Sequence, residues 1–373
     1  MIGSEILLYG YGLVCLSMLG FNILYSLHLR VSDRRLKRRM GDIARLVAAQ
    51  LAVVQAGKKV ERRHLKEMGR RLSRVNNLLA FDHFLDEQDD EAPAFRSYLR
   101  QMQPVFLYLT TVYRRREDMQ AAYFCHFLAR HQLQRHMQMQ QMQPLVASYL
   151  EKGSLYCKIN ALKALCAFGS AETIVQALLQ LDKQADGTLH EKVLTETLMA
   201  FTGKADMLIG LLWEQFGKFS VPLQRAILDY IRFKSGDYCE QMLAILQDQE
   251  QDRELRFAAI RYFGRYPFQP ARALLLDFVC DLDPLHWEFT AISASSLARY
   301  SGQDVIDALS EAMHSPNWYV RYNAAASLEA HGLAYEDLVG TMVGEDRYAR
   351  EMLTYRLERR RLAEKEKEAM AGA

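Results

Sequence analysis

The sequence predicts an all-α protein: an α-solenoid of short helical hairpins, preceded by one transmembrane helix and a basic amphipathic helix. Three observations carry this reading. A 24-residue apolar stretch near the N-terminus holds no Asp, Glu, Lys or Arg. A block of positive charge follows it directly. Further along, an apolar-periodic helix with a stop signal recurs every 30 to 35 residues. The composition agrees, since 50% hydrophobic and 25% charged residues with only 8 Pro suit a folded, helix-rich chain.

Residues 1–29 are read as the anchor. The run from Ile6 to Leu29 is ILLYGYGLVCLSMLGFNILYSLHL. About 20 apolar residues in a helix cross a hydrocarbon core about 30 Å thick. Tyr9 and Tyr11 stand near one end, and Tyr25 and His28 near the other, where interfacial side chains are expected. Arg30, Arg34, Arg35, Lys37, Arg38 and Arg39 follow at once, whereas only Glu5 and the amino terminus precede. The positive-inside rule then predicts a single pass through the inner (plasma) membrane, N-terminus outside and C-terminal solenoid cytoplasmic. A cleaved signal peptide would need a basic n-region and a small-residue cleavage site, and the sequence has neither.

Residues 30–91 are read as a basic amphipathic stalk with an acidic linker. From Arg30 to Arg74 the chain has 15 Lys and Arg against 4 Asp and Glu, while the remainder has 32 against 41. Apolar residues recur at Ile43, Leu46, Val47, Leu51 and Val54, then at Val60, Leu65, Met68, Leu72, Val75 and Leu79. Spacings of three and four mark one or more amphipathic helices. The basic face suits three uses: contact with anionic lipid headgroups through Arg30 to Arg39, a plain solvated stalk, or a short coiled coil. Asp82 to Glu91 (DHFLDEQDDE) reads as a linker or a capped helix start.

Residues 92–152 are read as degenerate helical repeats and residues 153–345 as the repeat array. INALKALCAFG, KVLTETLMAFTG, RAILDYIRFKSG, RFAAIRYFGRYP, FTAISASSLARYSG and RYNAAASLEAHG end at 169, 203, 236, 267, 302 and 332. Five of these six end in Gly and the other at Pro267, both helix-stop signals. Shorter apolar helices such as ARALLLDFV and DVIDALSEAM lie between them, so each unit is a pair of antiparallel helices. One pair alone cannot bury its apolar faces; stacking neighbours buries a continuous core. Residues 346–373 are read as a charged capping helix and tail, with Tyr348, Met352, Tyr355 and Leu357 as its apolar side.

SPNWYVRYNAAASLEAHG (315–332) and DRELRFAAIRYFGRY (252–266) resemble HEAT repeats of the short bacterial type. The resemblance covers about residues 155–343 and implies that the second helix of each pair lines a concave face. It thereby makes Lys158, Lys163, Arg225, Arg232, Arg256, Arg261 and Arg321 concave-face candidates, and of these Arg225, Arg232, Arg256, Arg261 and Arg321 are candidate partner-binding residues, with Trp287 and Trp318. Trp287 and Trp318 occupy matching positions, each ten residues before a packed Leu, Leu297 and Leu328. They form either a binding platform or packing between neighbouring repeats, the second being the more ordinary role.

Chemical motifs are absent. The sequence has no GxxxxGK[ST], GxSxG or HExxH. His126, His131 and His136 are five residues apart and fall about 140° from one another on a helix, which is wrong for one metal. Met137, Met139 and Met142 suit core packing better than copper ligation. Asp281 and Asp283 form a lone DxD. The six Cys contain no CxxC pair and read as reduced thiols. No catalytic, cofactor-binding or metal residue is therefore expected, and no cofactor. The mildly acidic body argues against nucleic acid. The expected function is a membrane-tethered scaffold or adaptor that binds a protein partner, a membrane protein or complex, at the cytoplasmic membrane face. Its leading specific form is an accessory subunit of a membrane glycosyltransferase making a cell-surface polysaccharide. The alternatives are a lyase-like enzyme of the HEAT type, and a lipid- or peptide-sensing regulator acting through the basic helix.

Overall fold

The computed structural model describes residues 2–89, 92–184, 189–281, 283–333 and 346–371. The end of the repeat array as read from sequence, 334–345, lies outside them. The described residues hold nineteen α-helices and no strand. They form two compact units: residues 1–187 with 200–204, and residues 188–199 with 205–373.

The first unit contains α1 (Ile2–Gln55), α2 (Arg62–Leu72), α3 (Val75–Asp86), α4 (Pro93–Gln101), α5 (Gln103–Arg114), α6 (Asp118–Arg130), α7 (Gln143–Ala147), α8 (Leu155–Phe168) and α9 (Ala171–Asp182). The sequence places an anchor boundary at residue 29, yet α1 runs unbroken through it for 54 residues, about 80 Å at 1.5 Å per residue. Nothing between Leu29 and Arg30 breaks a helix; the polarity changes while the backbone hydrogen bonding continues. Gly57, at φ +73°, ends it: its N–H reaches the Val54 carbonyl and that of Lys58 the Val53 carbonyl, a glycine-dependent stop. The outer half of α1 is exposed from Tyr9 to Val31, whereas Ile43, Val47 and Gln50 bury a face against α3 and α4. Side-chain oxygens then hold the turn into α2: Gln50 accepts the Glu61 N–H (3.1 Å) and Gln101 the Val60 N–H (2.8 Å).

An aromatic core fills this unit. Phe81, Phe106, Phe124 and Phe127 are fully buried, and Tyr113 stacks on Phe124 at 4.8 Å. Buried phenols need partners, and Tyr113 donates to the Leu72 carbonyl (2.8 Å) and Tyr149 to that of Thr110 (2.5 Å). Met137, Met139 and Met142 are buried as well. The acidic stretch read as linker or helix start begins instead inside α3. Asp82 is 2% exposed and accepts from Tyr123 (2.5 Å), Arg130 (3.1 Å) and His131 (2.6 Å) on and just after α6. These partners lie more than 40 residues away in sequence, so local polarity gives no hint of them.

The second unit is a ladder. Its helices are α10 (Glu191–Met199), α11 (Ala205–Glu214), α12 (Val221–Lys234), α13 (Cys239–Gln247), α14 (Arg253–Arg265), α15 (Gln269–Val279), α16 (Trp287–Ser296), α17 (Gln303–Ala312), α18 (Trp318–Ala330) and α19 (Arg347–Ala371). Helices α10, α12, α14, α16, α18 and α19 pack each on the next, and α13, α15 and α17 back α14, α16 and α18. The array read from sequence over 153–345 is thus divided, with α8 and α9 in the first unit.

A repeated polar bond joins the rungs. Ser296 donates to the Ile260 carbonyl (3.0 Å) and, one turn on, Tyr300 to that of Phe263 (3.4 Å). In the next rung Ser327 donates to the Ala294 carbonyl (2.7 Å) and His331 to that of Leu297 (3.2 Å). Close approach makes this feasible: a Cβ on Gly264 would lie 2.8 Å from Ser296 Oγ and 3.2 Å from its Cα. Ion pairs run alongside. Arg225 pairs with Glu191 (3.2 Å) and Glu254 (2.6 Å), and Arg253 with Glu288.

Candidate interaction surface

The seven basic residues placed on the concave face from sequence fall into four environments. Lys158 and Lys163 both lie on α8 in the first unit, Lys158 buried and Lys163 exposed. Arg225 is held between two carboxylates as part of the rung-to-rung ion pairs. Arg256 and Arg321 tie their own hairpins together. Arg256 donates to the Leu246 carbonyl (3.2 Å) and lies over Phe289 and Phe278. Arg321 donates to the Ser315 carbonyl (3.0 Å) and lies over Tyr348. The geometry therefore uses Arg256 and Arg321 for folding, because each stands in the first turn of its helix within reach of a carbonyl at the end of the preceding helix or in the loop before it.

Arg232 and Arg261 come together. With Arg265 and Arg299 they line an open groove of about 480 Å³ across α12, α14, α16 and α18, floored by Gly264, Ser296 and Ile292. Arg232 pairs with Asp229 one turn back (2.9 Å), while its buried Nε has no hydrogen-bond partner. Phe233 holds two of the guanidiniums, Arg232 at 4.8 Å and Arg265 at 5.5 Å from its ring centre. Among the described residues no carboxylate pairs with Arg261, Arg265 or Arg299. Burial first, then the charges of Arg225 and Arg232, pushes the Arg261 guanidinium below its usual value, and the attraction of Asp229 and Glu254 does not offset them. Such a group is short of negative charge. Arg265 and Arg299 escaped the sequence reading, although they stand 34 residues apart, one repeat length.

The two tryptophans also meet, through a third ring. Trp287 stacks on Tyr319 at 5.6 Å, Trp318 meets Tyr319 edge-on at 5.2 Å, and Trp318 stacks on Tyr322 at 4.9 Å. Trp318 remains 50% exposed and Tyr319 and Tyr322 are exposed beside it. The result is an exposed aromatic patch of the kind that anchors protein interfaces.

Trp287 faces a second cavity of about 480 Å³, lined by Val279, Cys280, Ala312, Pro316 and Val320 among others. The DxD sequence sits on its edge and is occupied by local bonds. Asp283 accepts the Leu285 N–H (2.9 Å), and Asp281 accepts the Asp283 N–H (2.9 Å) and pairs with His286 (2.7 Å). Those bonds hold the Asp281 carboxyl below the usual carboxylate range. The Cys280 thiol is pushed up by burial and by Asp277 and Glu311. Neither the lowered Asp281 carboxyl nor the raised Cys280 thiol is poised as a general acid or a ready thiolate.

In the first unit Asp82, Asp86 and His131 bring three metal-binding atoms within 4.8 Å of one another. Arg130 already bridges the two carboxylates, at 3.1 Å to Asp82 and 2.8 Å to Asp86, and a cation would have to displace that guanidinium. Arg30, Arg34, Arg35, Lys37 and Arg38 are exposed on α1, and Arg39 is half-buried. At 100° per residue Arg30, Arg34 and Arg38 share the side of α1 away from Ile43 and Val47. Among the described residues α1 is the one helix long and apolar enough to cross a membrane, with mean hydropathy 1.6 in its most apolar window and none of that window buried.

Residues 239–329 match the family model for HEAT repeats. The match spans the hairpins α13–α14, α15–α16 and α17–α18, so these three hairpins are similar to HEAT repeats, which generally mediate protein–protein interaction. Both the arginine groove and the aromatic patch lie largely on the second helices of these repeats. No curated protein matches the chain.

Proposed function

We propose that this protein is a membrane-tethered HEAT-repeat scaffold, which holds a protein partner on its second unit at the cytoplasmic membrane face. The observation that carries the binding half is the groove of Arg232, Arg261, Arg265 and Arg299, where positive charge is gathered, partly desolvated and largely unneutralised. Folding alone gains nothing from such a cluster. The tethering half rests on α1, whose apolar side chains are exposed from Tyr9 to Val31 while Ile43 and Val47 further along are buried. The six basic residues from Arg30 to Arg39 follow the apolar stretch within about 15 Å along the helix, which favours a cytoplasmic unit and contact with anionic headgroups. Tethering raises the local concentration of the scaffold on a membrane-bound partner, so a weak interface suffices. A membrane glycosyltransferase that builds a cell-surface polysaccharide is the specific partner favoured here, from the anchored-scaffold architecture alone.

Purification of the tagged full-length chain in mild detergent, followed by identification of what co-elutes, tests the reading. A stoichiometric membrane protein that is lost with the groove arginines is the expected result. Clean chain with a bound small molecule would overturn it.

A further inference from the structure

We propose that the groove of Arg232, Arg261, Arg265 and Arg299 takes an extended acidic peptide segment of the partner, its Asp and Glu carboxylates seated one after another on the guanidiniums. This rests on the scaffold reading above and names the chemistry that the scaffold recognises.

The first argument is the distribution of charge. Arg232 comes from α12, Arg261 and Arg265 from α14, and Arg299 from the turn that ends α16. Neighbouring packed helices are about 8–10 Å apart, so the row extends over roughly 16–20 Å. That length matches five or six residues of extended chain at about 3.3 Å each. An isolated phosphate would meet one or two of these side chains and leave the rest unneutralised.

The second argument is readiness. The guanidiniums of Arg232 and Arg265 both lie over the Phe233 ring, and Arg261 lines the same groove half-buried. Less side-chain freedom is lost when a ligand arrives at groups already held. A guanidinium fork matches a carboxylate with two parallel hydrogen bonds. A carboxylate at Arg261 would supply the negative charge that Asp229 and Glu254 fail to supply there.

The third argument is the surroundings. Outside the segment from Arg30 to Arg74 the chain carries 41 acidic against 32 basic residues. A basic groove on an acidic body steers an acidic segment to one place and repels it elsewhere.

The test uses the full-length protein in mild detergent and a fluorescein-labelled peptide, Gly-Glu-Asp-Glu-Glu-Asp-Gly, read by polarisation. Its counterpart with every acid replaced by the amide is the control. The acidic peptide should bind and the amide peptide should not. Arg261→Gln should weaken binding about tenfold and Arg261→Gln with Arg299→Gln about a hundredfold, in line with charged hydrogen bonds of this kind. Lys218→Gln, on an exposed residue outside the groove, should leave binding unchanged. Thermal midpoints measured in parallel confirm folding, and Arg299→Gln alone, on an exposed side chain, serves if Arg261→Gln unfolds. Equal binding of the amide peptide, insensitivity to the arginine variants, or stronger displacement by inorganic phosphate or phosphatidylserine vesicles than by unlabelled acidic peptide would each overturn the inference. If the double variant still captures its partner although the peptide no longer binds, the acidic-peptide inference falls and the scaffold stands. If wild-type protein binds the peptide yet captures no partner, the scaffold reading falls alone.

Discussion

Arg256 and Arg261 lie five residues apart on one helix and meet opposite fates. Arg256 is engaged by the fold: it donates to the Leu246 carbonyl and lies over two aromatic faces, although burial still pushes its guanidinium below its usual value against the attraction of Asp248. Arg256→Ala should therefore cost about 2 kcal/mol, the sum of a charged hydrogen bond and a cation–π contact, visible as a lower denaturant midpoint. Arg261 has no such partner, and Arg261→Gln should leave that midpoint within about 0.5 kcal/mol of wild type. Asp82 shows how a buried charge is made tolerable. Burial pushes its carboxyl up, but hydrogen bonds from His131 and Tyr123 and the charges of His131 and Arg130 outweigh burial and hold it below the usual range. The unfolded chain therefore takes up this proton first as pH falls. Its contribution is complete above about pH 3.9 and is lost as pH falls through the lower folded value. Asp82→Asn should destabilise the first unit by about 3 kcal/mol at neutral pH and flatten its acid-unfolding curve. His64 works in a higher range. Burial lowers its affinity for a proton more than Glu61 and Glu67 raise it, and its ring is bonded to the Tyr98 hydroxyl at 2.9 Å. The folded state keeps it neutral where the unfolded chain is protonated. Stability should fall as pH drops below about 6.5, and His64→Gln should remove that slope in urea titrations between about pH 7 and 5.

At the scale of elements, the ladder depends on how closely α14 and α16 approach. Gly264→Ala would put a methyl against the Ser296 backbone and hydroxyl. The helices must separate, at a cost of about 1–3 kcal/mol, and the floor of the arginine groove shifts with them. Calorimetry would register the loss. An unchanged midpoint would mean that α16 gives way freely. Ser296→Ala and Ser327→Ala each remove one inter-rung bond from a buried hydroxyl, and each should cost about 1 kcal/mol. The hairpins themselves were legible in sequence because their periodicity and Gly stops are local signals. The inter-rung bonds were not, since Ser296 and Ser327 read as ordinary small core residues until the facing carbonyls are placed. The same holds for Arg265 and Arg299: their 34-residue spacing was visible, but nothing local distinguishes an arginine in a groove from one consumed by a loop carbonyl.

At the scale of the whole molecule, α1 divides the chain's chemistry. Its apolar side chains from Tyr9 to Val31 are exposed. Removing residues 1–29 should therefore leave thermal unfolding within a few degrees of the full chain while abolishing the need for detergent. Sedimentation and circular dichroism would check both, and loss of helicity would show that the outer half of α1 supports the fold. What the sequence by itself determined was the helical class, the hairpin repeat, and the sharp change from apolar to basic at residue 30. Each follows from periodicity or composition within a few tens of residues. The tertiary structure alone decided that the apolar segment and the basic amphipathic segment are one helix and that the repeats divide between two units. It also decided that, of seven residues marked for partner binding, Arg256 and Arg321 serve folding while Arg232 and Arg261 share a groove. Those outcomes turn on which distant carbonyl, ring or carboxylate stands opposite each side chain, and local sequence does not contain that pairing.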